Sequence, residues 1–239
     1  MIKDDIFKDG ISGARWRGDA AITFLLLCLA LLWDATGLDL PLARLAGEAD
    51  GFAWRDHWVL TTWLHQGARL LAFATAAWLA LGIWRPMGPL KGLARSARVQ
   101  WLASLLLAVL LVSAFKHASR TSCPWDLAEF GGAAGYLSHW SWGAGDGGPG
   151  HCFPAGHASA GFGFIGGYFV LRTHSARAAR ACLWLSVAAG FLLGGAQQLR
   201  GAHFMSHTLW TAWWCWASAA AVASFAARGR VPAPAGAVA

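Results

Sequence analysis

Charged side chains are scarce in this chain. They make up 13% of its 239 residues, whereas hydrophobic residues make up 56% and the mean hydropathy is +0.44. A soluble domain carries about 25% charged residues, so the composition excludes an ordinary water-soluble protein. Apolar runs near the roughly 20 residues that cross the hydrocarbon core of a bilayer indicate a membrane protein instead. These runs cover residues 20–34, 66–84, 100–116, 156–171, 181–199 and 204–226.

The chain has fewer acidic than basic residues, with 12 Asp and Glu against 19 Lys and Arg, which gives a net charge of +7. The N-terminus, the loops over 85–99 and 172–180 and the C-terminal tail together hold 13 Lys or Arg and 4 acids. The opposite side holds the other 6 basic residues and 8 acids. The positive-inside rule therefore predicts that both termini are cytoplasmic. The positive charge is a topology signal and does not indicate nucleic-acid binding.

These patterns predict an all-α fold, a polytopic bundle of six transmembrane helices with its active-site face on the periplasmic side of a bacterial inner membrane. Residues 1–19 are assigned to a cytoplasmic N-terminus, 20–230 to one membrane domain and 231–239 to a disordered Pro/Ala/Gly tail. Residues 52–65 are rich in Trp and mixed in polarity, which predicts an interfacial helix before the second span. His65 and Arg69, one helical turn apart, are placed at the outer interface.

Histidines gather on the predicted outer side, where seven of the nine fall. Three segments bring histidine or basic residues to that surface: 116–120 at the end of the third span, 154–157 at the start of the fourth and 200–207 at the start of the sixth. In a helical bundle these helix ends lie side by side. The topology therefore predicts one site built from segments far apart in sequence.

The residue types in these segments suit a phosphate ester. Pro154–His157 begins a helix, whose free N–H groups and dipole favour an anion. A pair of histidines divides the remaining work, one attacking phosphorus and one protonating the leaving alcohol. The predicted phosphate-binding residues are Lys116, Arg120, Ala155, Gly156 and Arg200, and the predicted catalytic residues are His203, His157 and His207.

The three segments resemble the motifs of the type 2 phosphatidic acid phosphatase (PAP2) superfamily, which read Lys-x6-Arg-Pro, Pro-Ser-Gly-His and Ser-Arg-x5-His-x3-Asp. The first keeps Lys116 and Pro124 but has Cys123 at the arginine, with Arg120 as the substitute. The second differs only at Ala155. The third aligns on His203, with Gln197 at the arginine position and His207 at the aspartate position.

The resemblance implies a phosphatase or pyrophosphatase that needs no metal and no cofactor and acts on a lipid phosphate. It implies that His203 is the nucleophile, forming a phosphohistidine, and that His157 is the general acid. The replaced aspartate removes the carboxylate that orients the nucleophilic imidazole. Arg200 then supplies the missing guanidinium, and the expected substitutes for the carboxylate are Asp126 or Glu129.

Two of the five cysteines, Cys123 and Cys152, fall in the outer loop next to a motif, where an oxidising compartment favours a disulfide between them. The segment between them, rich in glycine over 131–150, predicts a flexible lid. Two other functions stay open. His203 and His207, four residues apart, suit a zinc-dependent hydrolase, although no HExxH is present. The lost aspartate and arginine suit a lipid-binding or transport protein without catalysis.

Overall fold

Helices make up most of the computed structural model, which describes residues 2–141 and 143–228, with side chains from residue 15 onward. The tail predicted over 231–239 lies outside the described residues. The α-helices in the described ranges are α1 (Ile2–Thr36), α2 (Asp39–Ala43), α3 (Ala68–Leu81), α4 (Arg95–Ala118), α5 (Ser159–Phe162), α6 (Gly166–Leu171), α7 (Ala176–Leu199) and α8 (Met205–Arg228).

Short elements connect and extend these helices. Strands β1 (Gly47–Glu48) and β2 (Gly51–Phe52) form an antiparallel hairpin, with Gly47 opposite Phe52 and Glu48 opposite Gly51. A π-helix over Val59–Gly67 runs directly into α3. Single turns of 3-10 helix lie at Gly88–Gly92, Pro124–Asp126, Ala128–Phe130, Gly156–Ala158 and Gly163–Ile165.

The predicted interfacial helix over 52–65 is not a separate element. Phe52 ends β2, residues 53–56 form turns, and the helix that follows begins at Val59 and continues to Leu81. The chain therefore enters the second helical segment seven residues earlier than the predicted span. Trp54 and Trp58 remain exposed at this entrance. The mixed-polarity residues from Val59 onward are thus the first turns of a longer helix that continues into α3.

Among the described residues, three helices are long and apolar enough to cross a membrane: Arg15–Thr36 within α1, α4 and α7. Large apolar side chains on these and neighbouring helices point outward, among them Phe24, Leu71, Leu110 and Leu185, each more than half exposed. Such a continuous apolar exterior is costly in water and is satisfied by hydrocarbon. The mostly helical, apolar-faced architecture thus agrees with the predicted membrane class.

Helix α8 packs against α1, α4, α6 and α7 and forms the centre of the bundle. Its buried Cys215 and Trp216 meet Phe162 and Phe169 from the fourth helical segment, and Ala108 from α4. Helix α1 is tied to the end of α6 by a bidentate ion pair in which Arg172 donates to Asp19 at 2.6 and 2.7 Å. The central position of α8 brings its first turn, which carries His207, among the outer ends of the other helices.

The fourth segment consists of short helices and approaches α7 very closely. A Cβ at Gly161 would collide with the backbone nitrogen of Gly190, and a Cβ at Gly190 would collide with the Phe162 ring. Glycine at both positions lets the two backbones touch. This close contact holds the start of the segment, with His157, against the rest of the bundle.

We expect Gly161→Ala to lower the thermal unfolding temperature in detergent by several degrees, because backbone atoms of α7 cannot move aside as a side chain could. Gly195→Ala is the matched control, since a Cβ at Gly195 meets nothing within 4 Å. The control should unfold at or slightly above the temperature of the parent protein. Equal stability of the two variants would contradict the close approach.

Candidate active site

The predicted motif residues meet at one end of the bundle. Helix α7 ends at Leu199, and Gly201 turns the chain with a φ of 74°, a left-handed conformation that favours glycine. A Cβ at Gly201 would also collide with the Phe52 ring, so the turn is packed as well as bent. This turn places His203 in the five-residue connection, residues 200–204, directly before α8. His203 therefore lies beside the start of the fourth segment.

Four histidines line this end of the bundle. The ring centroids of His157 and His203 are 6.4 Å apart, and that of His65 lies 4.0 Å from His157. On its other side, His203 places its Nδ1 3.4 Å from Nδ1 of His207. His203 and His207 are 4% and 2% exposed, whereas His157 is only partly buried. The geometry thus offers a buried imidazole beside a more accessible one.

Positive charge surrounds His157. Lys116, Arg69 and Arg200 are close enough for their charges to act on it. The aliphatic stem of Lys116 passes Gly156, where an added Cβ would lie 3.7 Å from Cδ of the lysine. Arg200 is fixed by donating from Nε to the carbonyl of Arg55 at 2.7 Å and from Nη1 to Gln197 Oε1 at 3.1 Å. The space in front of Gly156 is therefore bordered by cations.

The motif glycine and its neighbours differ in what they offer an anion. The N–H of Ala155 donates to the carbonyl of His207 at 3.2 Å, and Ala155 is fully buried. The N–H of Ala155, predicted to bind phosphate, therefore already has an acceptor within the protein. The helical turn that begins at Gly156 has no side-chain cap. Its first N–H groups, those of Gly156 and His157, have no acceptor within the turn.

Arg120 lies beyond the end of the helix that carries Lys116. It was expected on the helix face of Lys116, four residues on, but α4 ends at Ala118 and Ser119 is extended, with a ψ of 131°. The chain therefore leaves the helix before Arg120. The exposed guanidinium instead donates from Nη1 to the carbonyl of Gly143 in the outer loop, at 3.2 Å.

Cys123 and Cys152 are joined by a disulfide in the structure, with their Cα atoms 5.2 Å apart. Cys152 is fully buried, and its Sγ lies 3.6 Å from Nδ1 of His203. In the described part of the chain, the one group of metal-ligand side chains consists of these two cysteines and His203. Two bonded sulfurs offer no thiolate, so this trio does not favour a metal centre while the disulfide is intact.

The expected substitute carboxylates do not reach the histidines. Asp126 accepts from the backbone N–H of Cys123 at 3.2 Å and caps its own turn, and Glu129 forms an exposed ion pair with Arg44 at 2.5 Å.

The glycine-rich loop predicted to be a flexible lid is held by hydrogen bonds to a motif segment. Asp146 in that loop accepts from the N–H and hydroxyl of Ser122 at 2.5 and 2.8 Å.

Several residues at the site were not predicted as part of it. His65 and Arg69 stood out in the sequence as polar residues in an apolar run, but they were assigned to the membrane interface. His139 and Asp34 lie behind His207: the His139 ring is 5.9 Å from that of His207, and its Nε2 is 3.3 Å from Asp34 Oδ2. No sequence pattern marks these two residues, since His139 is in a loop and Asp34 ends an apolar run.

A helical bundle with an apolar exterior and a cationic pocket of histidines defines a membrane-type protein equipped for phosphate chemistry. Comparison with protein families agrees: the PAP2 superfamily model matches residues 98–230, which contain all three motif segments. The chain belongs to the PAP2 superfamily, whose members generally hydrolyse phosphate esters. No curated protein and no solved structure matches the chain.

Burial lowers the pKa of His203 well below its ordinary value, and the charges of Lys116, His207 and His157 act in the same direction. A hydrogen bond to the backbone carbonyl of Cys152 raises the pKa, but by less. The His203 imidazole is therefore neutral at neutral pH. An unprotonated imidazole is the form that attacks phosphorus.

This shift predicts how stability depends on pH. The unfolded chain binds a proton at His203 near pH 6.5, as histidine ordinarily does, whereas the folded chain binds it only at lower pH. The stability due to neutral His203 is complete above about pH 6.5 and is lost as the pH falls through the lowered pKa. We expect thermal unfolding temperatures measured from pH 8 to pH 5 to fall less steeply for His203→Gln than for the parent. His174→Gln, at an exposed loop histidine, should keep the parent slope.

Proposed function

We propose that this protein hydrolyses a lipid phosphate or lipid pyrophosphate through a phosphohistidine on His203. The observation that carries the proposal is the pairing of the His157 and His203 rings, 6.4 Å apart, beside Lys116 and Arg200. The proposed nucleophile, proton donor and phosphate-binding residues are thus close to one another. Membership of a family of phosphate-ester hydrolases supports the same reaction class.

His203 is the proposed nucleophile because its two ring nitrogens have different surroundings. Nδ1 faces His207 and Cys152, which leaves Nε2 for the substrate. Nε2 attacks phosphorus, the phosphorus–oxygen bond to the leaving group breaks, and His157 protonates the departing oxygen. Water then attacks the phosphohistidine, His157 takes up a proton from that water, and His203 is released together with inorganic phosphate.

The cations around His157 prepare it for this cycle. Without a ligand, the positive charges of Lys116, Arg69 and Arg200 oppose protonation of the His157 ring. A phosphate dianion placed among them reverses the sign of the local field and favours the protonated imidazole. Substrate binding therefore generates the acid that the first step needs. The N–H groups of Gly156 and His157 are the proposed additional donors to the phosphate oxygens.

An apolar groove supports a substrate with a hydrocarbon chain. The groove has a volume of about 530 Å³, and His203 is one of the residues that line it. Its walls come from α2, the π-helix and α7, and its lining includes Leu42, Leu60, Leu64, Phe191, Leu192, Gly195 and Leu199. A chain lying in this groove would place its phosphate head beside the histidines. Lipid phosphates such as phosphatidic acid, phosphatidylglycerol phosphate, undecaprenyl pyrophosphate and lipid A phosphate fit this description.

The proposed location is a bacterial inner membrane that the chain crosses six times, with both termini in the cytoplasm and the site at the periplasmic surface. The uneven distribution of Lys and Arg supports this orientation. The disulfide between Cys123 and Cys152, on the same side as the histidines, suits an oxidising compartment. A site at that surface would receive lipid head groups directly from the outer leaflet.

The first test measures phosphate release from a panel of these lipids by purified protein. We expect His203→Ala and His157→Ala each to lower kcat by roughly 10³-fold or more, because each removes a group that acts in the transition state. His174→Ala is the control and should keep the parent rate. A phosphohistidine is labile in acid and stable in base. Phosphoenzyme trapped from the parent during turnover should therefore survive base and not acid, and it should be missing in His203→Ala.

The same assay with EDTA separates the alternatives. Retained activity supports the metal-independent phosphatase. Activity lost with EDTA and restored by zinc would indicate the metal-dependent hydrolase. Lipid binding without any phosphate release would indicate the binding or transport protein and would overturn the proposal.

The groove leads to a second test. Gly195→Leu would extend a side chain into the groove, since a Cβ there meets nothing within 4 Å. We expect kcat/KM for a long-chain lipid phosphate to fall about tenfold or more, while that for a short water-soluble phosphate ester stays within about twofold. Gly195→Ala should leave both values unchanged. Equal losses for both substrates would show that the groove does not hold the chain.

A further inference from the structure

A line of polar side chains leads away from the phosphate pocket on the far side of His203. It begins with the contact between Nδ1 of His203 and Nδ1 of His207, at 3.4 Å. If Nε2 of His203 attacks phosphorus, Nδ1 carries the hydrogen, and this hydrogen lies between the backbone carbonyl of Cys152 and Nδ1 of His207. A neutral histidine orients its partner in this way but brings no negative charge. The positive charge that develops on His203 therefore calls for a carboxylate farther back.

His139 is the next residue in this line. Its ring stands perpendicular to that of His207, at 84° with centroids 5.9 Å apart. It also stacks on Phe153 at 4.1 Å, nearly parallel at 4°, directly before the Pro154–His157 segment. His139 Nε2 lies 3.3 Å from Asp34 Oδ2, and both side chains are less than 10% exposed. A loop residue is thus held between the catalytic histidines and a carboxylate of α1.

Asp34 is built into this position from several sides. Its Oδ2 accepts from Trp210 Nε1 in α8 at 2.8 Å and from Trp140 Nε1 in the outer loop at 2.9 Å. Several N–H groups directed at one oxygen suit an ionised carboxylate. Its Oδ1 is buried and has no hydrogen-bond partner among the described residues. Oδ2 of Asp34 is therefore shared by Trp210, Trp140 and the ion-pair contact with His139.

Nearby carboxylates of the outer face are engaged elsewhere. Asp39 accepts hydrogen bonds from the N–H and hydroxyl of Ser206 and thereby caps the start of α8. It also accepts one from Trp33 Nε1. Asp126, Glu129 and Asp146 hold loop segments, as described above. Within the described ranges, Asp34 is the acid with an ion-pair contact to a histidine. It is therefore the carboxylate best placed to act on His207 and His203.

We propose that Asp34, acting through His139 and His207, is the positioning carboxylate for the nucleophile His203. Its charge is fixed behind the line of three imidazoles, orients them, and stabilises the positive charge that forms on His203 during phosphoryl transfer. No proton has to travel along the line. The inference rests on the proposed function, because it assigns a role in that reaction.

The test is a double-mutant cycle with phosphate release as the readout. In the parent, Asp34→Asn keeps the shape but removes the charge, and kcat should fall roughly 10- to 100-fold with little change in KM. This loss is smaller than the roughly 10⁴-fold cost of changing an aspartate in direct contact with its histidine. In a His207→Asp background, where a carboxylate touches His203 directly, Asp34→Asn should change kcat by less than about threefold. Glu129→Gln, at an exposed carboxylate paired with Arg44, is the control and should leave kcat unchanged.

A second arm does not depend on His207→Asp. His139→Gln should lower kcat about as much as Asp34→Asn, and the double variant should lose no more than the larger single loss, because both act along one line. A purely structural role would lower unfolding temperature and would multiply the losses. Three results would each overturn the inference while leaving the proposed function intact: losses that multiply in the double variant, equal losses in both backgrounds, or an Asp34→Asn variant with the kcat of the parent. A parent that releases no phosphate would overturn both.

Discussion

The arrangement of the site depends on the positive charge of Lys116, which needs an anion to balance it. Its stem lies against Gly156 and its charge reaches both His157 and His203. No ion pair joins it to a carboxylate in the described part of the chain. A partly buried ammonium next to Arg200 and two histidines is costly unless an anion arrives to balance it. The pocket is thus organised around a ligand charge that the protein does not itself supply.

The carboxylates complete this arrangement from behind. Asp34 contacts His139, and Asp39 holds the first turn of α8 through Ser206. Cations therefore face the substrate space, while anions lie on the far side of the imidazoles. In the proposed reaction, the cations face the phosphate and the carboxylates lie behind His203, where positive charge would form. A carboxylate at position 207 would contact His203 directly, whereas Asp34 lies behind His139 and His207.

The membrane setting and the chemistry depend on the same packing. Outward-facing leucines and phenylalanines suit hydrocarbon, while the groove between α2, the π-helix and α7 reaches His203 from the side. In the proposed function, a lipid enters from the bilayer along this groove. The close contact of Gly161 with α7 and the disulfide between Cys123 and Cys152 hold the motif segments in place.

The sequence by itself determined the helical membrane class, the family, and the convergence of His157, His203, Lys116 and Arg200, because apolar runs and short motifs are local signals. It did not determine which neighbours complete the site. Arg120 lies off the helix face of Lys116 because α4 ends two residues before it. The N–H of Ala155 donates to the carbonyl of His207. The helix expected over 52–65 begins at Val59. His65, Arg69, His139 and Asp34 enter only through packing, since contacts between distant segments depend on how helices rotate and where they end.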